Sequence, residues 1–154
     1  QFSTVDASYF DDALFLGDSH TDGFHDYAGL GNATYFTKNG LTVKDAVEKS
    51  FIELDGKKVT LAEALGTRQF GKVYILLGIN EIGAYTAADW AAQYKSLLDL
   101  VREKQPDAVI FIQSIFHTTQ KKSDSSYFKN EVINERNAAK SQSDIDRWLT
   151  GLGY

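Results

Sequence analysis

Two short apolar runs, each ended by glycine and polar residues, constrain the fold of this chain most. Residues 13–16 are followed by a glycine, an aspartate and Ser19, and residues 73–77 are followed by Gly-Ile and Asn80. An apolar run that stops at such a cluster is typical of a buried strand ending in a loop. Buried strands that alternate with helical patterns indicate a parallel sheet covered by helices on both faces.

The rest of the chain extends this pattern to one α/β domain over residues 1–154. Strands are predicted at residues 13–17, 33–36, 72–77 and 108–115. A hairpin is predicted between 52–54 and 58–59, around an Asp-Gly turn. Helices are predicted at 43–49, 60–65, 86–104, 131–139 and 144–152, and a helix is expected to start within 21–30. The polar tract 118–126 is predicted to be an exposed loop.

Composition narrows the function classes. The chain has 154 residues with a formal net charge of -5, which argues against nucleic acid or an anionic membrane as partner. We find no apolar run long enough to span a membrane. Without cysteine, the chain has no disulfide and no thiolate chemistry. We expect no cofactor and no metal, because the histidines and aspartates near residue 22 match no specific ligand spacing.

Ser19 is the sharpest catalytic candidate. A serine at the carboxyl end of a strand is exposed where open α/β sheets bind ligands, and a helix start there favours developing negative charge. Asn80, at the end of a second strand, can supply an amide donor to an oxyanion, and the backbone N–H of Gly40 is a third candidate. The alternatives remain open: the serine is a helix cap, and the asparagine and glycine are turn residues.

A base for Ser19 is harder to find among the three histidines. His20 is adjacent to Ser19, and adjacent side chains rarely point at each other. His25 follows within about a turn. His117, at the end of the fourth strand, is the best pocket histidine, although it is too far along the sheet edge to reach Ser19. We therefore predict that His117 makes no hydrogen bond to Ser19.

The chain resembles the SGNH, or GDSL-type, hydrolases in three blocks with the same order and approximate spacing: Gly17-Asp18-Ser19, Gly40 and Gly78-x-Asn80. The resemblance covers about residue 9 to about residue 137 and implies a flavodoxin-like three-layer α/β/α fold. It implies a serine esterase in which Ser19 is the nucleophile and Ser19 N–H, Gly40 N–H and Asn80 form the oxyanion hole. The expected substrate is a small-molecule ester with a small acyl group, of carbohydrate or lipid type. Asp18, Glu81 and His117 are expected to contact it.

The family's late Asp-x-x-His block, which supplies the base, is missing from this chain. By the resemblance, a last strand and the histidine loop would fall near Asn137-Ala138, where they were either lost or omitted from the sequence. We expect the 154-residue chain to be nearly inactive.

The flanking sequence resembles secreted or surface-anchored esterases of Gram-positive gut bacteria, although a cytoplasmic location stays open. The alternative function is a ligand-binding domain without a base. The sequence contains no indication of the oligomeric state.

Overall fold

The computed structural model describes residues 3–141, and a parallel sheet forms its centre. Four strands pair in the order β2-β1-β5-β6, with all neighbours parallel. They are β1 Ala13–Gly17, β2 Thr34–Thr37, β5 Lys72–Leu76 and β6 Val109–Ile112, and an antiparallel hairpin joins β3 Ser50–Leu54 to β4 Lys57–Thr60. The helices are α1 Ser19–Ala28, α2 Val43–Glu48, α3 Leu61–Leu65, α4 Ala87–Lys104, α5 Gln120–Ser125 and α6 Asn130–Ser141. The predicted α/β class with a central parallel sheet is confirmed.

The two faces of the sheet carry different side chains because residues alternate along each strand. On one face, Leu14 and Leu16 of β1 lie in the main core, which α4 closes with Trp90 and Leu97. The other face carries a row of aromatic rings across all four strands. Stacked rings join neighbouring strands in the order Tyr35, Phe15, Tyr74 and Phe111.

Threonine side chains fix the start of four helices. Each accepts a hydrogen bond from a backbone N–H three residues further on, the usual N-cap arrangement. The caps are Thr42 of α2, Thr60 of α3, Thr86 of α4 and Thr119 of α5. At α3, Glu63 returns the bond to the cap residue, which completes the predicted capping box.

The segment after β6 differs from the sequence prediction. The strand was predicted over 108–115 but ends at Ile112, because the backbone N–H and C=O of Ile115 bond to the side chain of Asn137 instead of a neighbouring strand. The predicted loop 118–126 contains the short helix α5, which is polar on almost all sides and has no apolar periodicity to reveal it. Helix α6 runs without interruption through Asn137 and Ala138. The predicted helix 144–152 lies outside the described residues.

Gln105 joins α3 and α4 to the start of β5. Its side chain is fully buried, accepts a hydrogen bond from Phe70 N at 2.7 Å, and donates to Leu65 O at 2.8 Å and Arg68 O at 2.7 Å. All three of these hydrogen bonds are made with backbone groups of the segment that connects α3 to β5. The segment that leads into β5 therefore depends on this one amide.

We expect Gln105→Ala to lower the free energy of unfolding by about 2–4 kcal/mol, since it leaves buried backbone groups unpaired. Urea unfolding followed by circular dichroism measures this. Gln69→Ala is the matched control, because exposed Gln69 makes one bond, to Lys104 O, and should cost less than about 1 kcal/mol. Equal losses in the two variants would contradict the role of Gln105.

Candidate active site

Ser19 and Asn80 lie at the point where the strand order reverses. Ser19 is the first residue of α1, directly after β1, and Asn80 lies in the short 3-10 turn Ile79–Glu81 after β5. These two strands are neighbours, with Gly17 opposite Leu76. Both residues line one cavity of about 360 Å³. The structure thus brings together the predicted nucleophile and its predicted oxyanion donor.

The carboxylate of Asp18 connects the end of β1 to the end of β5. Asp18 is 1% exposed. Its Oδ1 accepts a hydrogen bond from His20 N at 2.9 Å and lies 3.1 Å from His20 Nδ1, and its Oδ2 accepts from Asn80 Nδ2 at 3.2 Å. We predicted that Asp18 contacts substrate. The structure places Asp18 as the buried N-cap of α1, where its carboxylate supplies the acceptor that the first N–H groups of the helix need.

Asn80 is held by two acceptors. Besides Asp18, Nδ2 donates to Leu41 O at 3.1 Å. Gly40, the residue before Leu41, lies in the exposed turn after β2 and has φ +74°. Gly40 therefore adjoins the acceptor of Asn80, although it is not among the residues that line the cavity. An oxyanion would take an amide hydrogen of Asn80 by sharing or replacing one of these two bonds.

Glu81, which was predicted to contact substrate, lies inside the protein and is not among the residues that line the cavity. It is 4% exposed, and its Oε1 accepts hydrogen bonds from Val43 N at 2.9 Å and Trp90 Nε1 at 3.0 Å. Burial raises the pKa of this carboxyl, while both hydrogen bonds act in the opposite direction. Glu81 thus fixes α2 and α4 against the turn that carries Asn80.

Two histidines line the cavity, and neither is hydrogen-bonded to Ser19 within residues 3–141. Nε2 of His117 lies 2.6 Å from Asn134 Oδ1, which agrees with the prediction that His117 does not contact Ser19. His20 contacts Asp18 through Nδ1, so a buried carboxylate orients its ring. The sequence analysis missed this contact because it considered only the adjacent pair Ser19 and His20. Asp18 and His20 are two residues apart.

His25 is directed elsewhere. With Asp22 it reproduces the spacing Asp-x-x-His, but on α1, close to the start of the chain rather than late in it. Its ring stacks on Tyr35 with 4.1 Å between centroids, and Asp22 accepts a hydrogen bond from Thr37 at 3.0 Å. Neither residue lines the cavity of Ser19. No group of three residues suited to binding a metal occurs in the part of the chain that the structure describes.

The opposite part of the cavity wall comes from the segment after β6, which sequence reasoning assigned to a solvated loop. Phe116 lies in this wall together with residues that the sequence analysis did not single out: Thr118, Thr119, Lys122 and Phe128. Lys122 lies within the tract 118–126, which was predicted to be an exposed loop. No periodic or motif signal in this polar tract points to the cavity.

Helix α6 holds this segment through one face. Asn130 bonds to the backbone N–H and C=O of Thr118, and Asn137 does the same for Ile115. Asn134 contacts His117, and Lys140 Nζ donates to Gln113 O at 2.7 Å. An asparagine amide offers one donor side and one acceptor side, as a peptide group does. The spacing of these residues at positions 130, 134, 137 and 140 was the missed sequence signal.

Lys140 is an unusual member of that face because it is buried. It is 5% exposed, and its Nζ lies over the rings of Trp90 and Tyr94 at 5.8 and 5.3 Å from their centroids. Burial lowers the pKa of Lys140 to about 7, opposed by the negative charges of Glu81 and Asp18. The ammonium therefore costs free energy in the folded state at and below neutral pH.

Solved structures share this fold at low sequence identity. A candidate platelet activating factor from Streptococcus pneumonia is 16% identical with a TM-score of 0.58, over 88% of this chain and 66% of its own. A candidate GDSL-like lipase from Parabacteroides merdae is 15% identical with a TM-score of 0.55, over 84% and 70%. A carbohydrate esterase family 3 protein from Talaromyces cellulolyticus is 17% identical with a TM-score of 0.55, over 85% and 72%.

These likenesses identify the fold as that of the SGNH, or GDSL-type, hydrolases, as the three sequence blocks predicted. The chain spans slightly less than two thirds of the first of these structures. No protein-family model matches the chain, and a search of curated proteins finds no match. No helix among residues 3–141 is long and apolar enough to cross a membrane.

We expect Lys140→Met to raise the free energy of unfolding by about 1–3 kcal/mol at pH 6, since it removes a buried charge. Between about pH 7 and 10 the folded protein releases the proton of Lys140 while the unfolded chain keeps it. The contribution of Lys140 to stability therefore rises with pH, and the gain from Lys140→Met shrinks. Urea unfolding at pH 6 and pH 9 measures the difference.

The control for this pH effect is Lys95→Met. Lys95 is an exposed residue of α4 paired with Asp99, so its effect should be small and nearly equal at both pH values. A gain from Lys140→Met that does not depend on pH would contradict the assignment of a buried, titrating ammonium.

Proposed function

We propose that this chain is a serine esterase or acylhydrolase that cleaves a small acyl ester, of carbohydrate or lipid type, through an acyl-enzyme on Ser19. The observation that carries the proposal is the position of Ser19. It begins α1 at the carboxyl edge of the sheet, shares a cavity with Asn80, and lies where α/β sheets bind ligands. Structures with the same fold are named as a GDSL-like lipase and a carbohydrate esterase, which supports the same reaction class.

The chemistry starts with Ser19 Oγ attacking the ester carbonyl carbon. The carbonyl oxygen becomes an oxyanion, which Ser19 N–H, Gly40 N–H and Asn80 Nδ2 would stabilise, together with the positive end of α1. Collapse of this intermediate breaks the ester bond, releases the alcohol with a proton and leaves the acyl group on Ser19. Water then attacks the acyl-enzyme, releases the acid and returns Ser19 to its starting form.

The proton of Ser19 needs an acceptor. Among the described residues, the candidates in the cavity are His20 and His117. His20 has the better support, because buried Asp18 orients its ring as the third group of a catalytic triad orients a base. His117 is held by Asn134 instead. With neither ring bonded to Ser19, we expect slow turnover, and we expect deacylation to be the slower half of the reaction.

A binding domain without catalysis is the second candidate function. The specific observation in its favour is that Ser19 has no hydrogen bond to a histidine within residues 3–141. Such a domain would keep the cavity and its donors but would not form an acyl-enzyme. Trapping the acyl group on Ser19 therefore separates the two functions.

We expect 4-nitrophenyl acetate to acetylate Ser19, because the activated ester needs little help from a base and slow deacylation lets the adduct accumulate. Intact-mass spectrometry after rapid acid quenching measures the adduct, and peptide mapping locates it. A burst of 4-nitrophenol equal to the enzyme concentration should accompany it.

Two variants control this experiment. Ser19→Ala should lose both burst and adduct while keeping its circular dichroism spectrum. Ser8→Ala, which removes an exposed serine from the 3-10 turn Ala7–Phe10, should behave as the wild type. An absent burst in the wild type, or an adduct on another residue, would favour the binding domain.

We expect Asn80→Ala to lower the rate of Ser19 acetylation by about 10²–10³, the usual effect of removing one oxyanion donor. Stopped-flow measurement of the burst rate at saturating ester gives this number. Asn39→Ala, in the exposed turn beside Gly40, is the matched control and should change the rate little. A loss of ester affinity with an unchanged burst rate would instead assign Asn80 to substrate binding.

A further inference from the structure

We propose that the cavity of Ser19 contains an anion subsite at Lys122, so that the preferred ester carries a carboxylate or phosphate on its non-reacting part. This inference rests on the proposed function in taking the ligand to be an ester. The anion subsite itself is a binding property and does not require hydrolysis. The first observation is the charge of the wall. Lys122, His20 and His117 line the cavity of about 360 Å³, and within residues 3–141 no aspartate or glutamate is among its lining residues.

This absence of acidic side chains is notable in a chain of net charge -5. The two acidic residues closest in sequence to Ser19 and Asn80 are buried and used by the protein. Asp18 accepts hydrogen bonds from His20 and Asn80, and Glu81 accepts from Val43 and Trp90. Neither carboxylate is presented to the cavity, so the described wall offers cationic and neutral groups.

Lys122 is positioned rather than freely extended. It lies in the first turn of α5, where its backbone N–H donates to the cap Thr119. Its Nζ lies 4.8 Å from the centroid of the Phe128 ring, which also lines the cavity. A cation over an aromatic face is held there electrostatically. The ammonium therefore has a defined place beside an apolar wall.

Lys122 also lacks an acidic partner within residues 3–141, unlike several lysines elsewhere on the surface. Lys49, Lys72 and Lys95 each pair with an aspartate at 3.0, 2.6 and 2.6 Å. On α5 itself, the carboxylate of Asp124 accepts a hydrogen bond from Gln120 at 2.7 Å. The positive charge of Lys122 is thus available to a ligand that enters the cavity.

The remaining wall defines the rest of that ligand. Phe116, Phe128 and Ile79 supply apolar surface between the polar groups. An ester that fits has its carbonyl at Ser19, an apolar middle part and an anionic end near Lys122. This chemistry is shared by carboxylate and phosphate groups, and it excludes a purely neutral substrate as the preferred one.

The test compares two matched small molecules, 4-hydroxybenzoate and 4-hydroxybenzamide, which differ in the charge at one end. NMR chemical-shift titration of the 154-residue protein measures their binding without requiring turnover. We expect the anion to bind more tightly, and we expect Lys122→Glu to reduce the ratio of the two affinities by about threefold to tenfold. Raising the salt concentration should reduce the ratio in the wild type.

Lys121→Glu is the matched control, because it makes the same charge change one residue away, on a side chain that does not line the cavity. It should leave the ratio nearly unchanged. An equal effect of Lys121→Glu and Lys122→Glu would show that only the net charge matters and would overturn the subsite. Equal binding of the two molecules to the wild type would overturn it as well.

The acetate esters of the same two molecules connect the subsite to the proposed function. We expect the ratio of their burst rate constants, anionic over neutral at subsaturating ester, to fall in Lys122→Glu by the same factor as the affinity ratio. If neither ester acetylates Ser19 while the affinity ratio still depends on Lys122, the esterase proposal fails and the anion subsite stands.

Discussion

The site depends on one buried carboxylate, that of Asp18. It joins the end of β1 to the end of β5 by accepting from the first turn of α1 and from Asn80 across the strand boundary. Ser19 follows Asp18 directly, so the acceptor that starts the helix also sets the position of the proposed nucleophile. A buried charge needs hydrogen-bond donors to be tolerated at all. Asn80, the proposed oxyanion donor, and His20, the proposed base, therefore also stabilise Asp18.

This arrangement requires the backbone at Gly17 and Gly78 to pass close to neighbouring elements. A side chain at Gly17 would place its Cβ 2.0 Å from Thr21 Oγ1 and 2.8 Å from Leu76 O, and one at Gly78 would place it 2.6 Å from the Trp90 ring. Any larger residue would push α1 away from β5 or the Asn80 turn away from α4. Packing between elements thus requires glycine at both positions, which is why the block that contains Ser19 and the block that contains Asn80 each begin with glycine.

The sequence predicted the parts of the molecule that local chemistry determines. Strand β1, the capping box at Thr60 and the Asp-Gly hairpin follow from apolar runs and polar stops near in sequence. It failed where a contact joins distant segments. Glu81 follows Asn80 directly, and only the approach of Val43 and Trp90 shows that it is a buried support. The sequence analysis missed helix α5 for another reason, since a polar six-residue helix has no pattern of apolar residues that would indicate it.

The cavity combines two walls that are held in place by different interactions. Ser19 and Asn80 stand on strand ends fixed by the buried Asp18 and by the sheet. After Gln113, whose N–H still donates to Ile75 O of β5, the backbone groups of Ile115 and Thr118 bond to asparagine side chains of α6 within residues 3–141. Such bonds are individually modest, and the segment that they hold supplies Phe116 and His117 to the cavity wall. Substitutions along the asparagine face of α6 would therefore alter which ligand fits, while the geometry around Ser19 stays with the sheet.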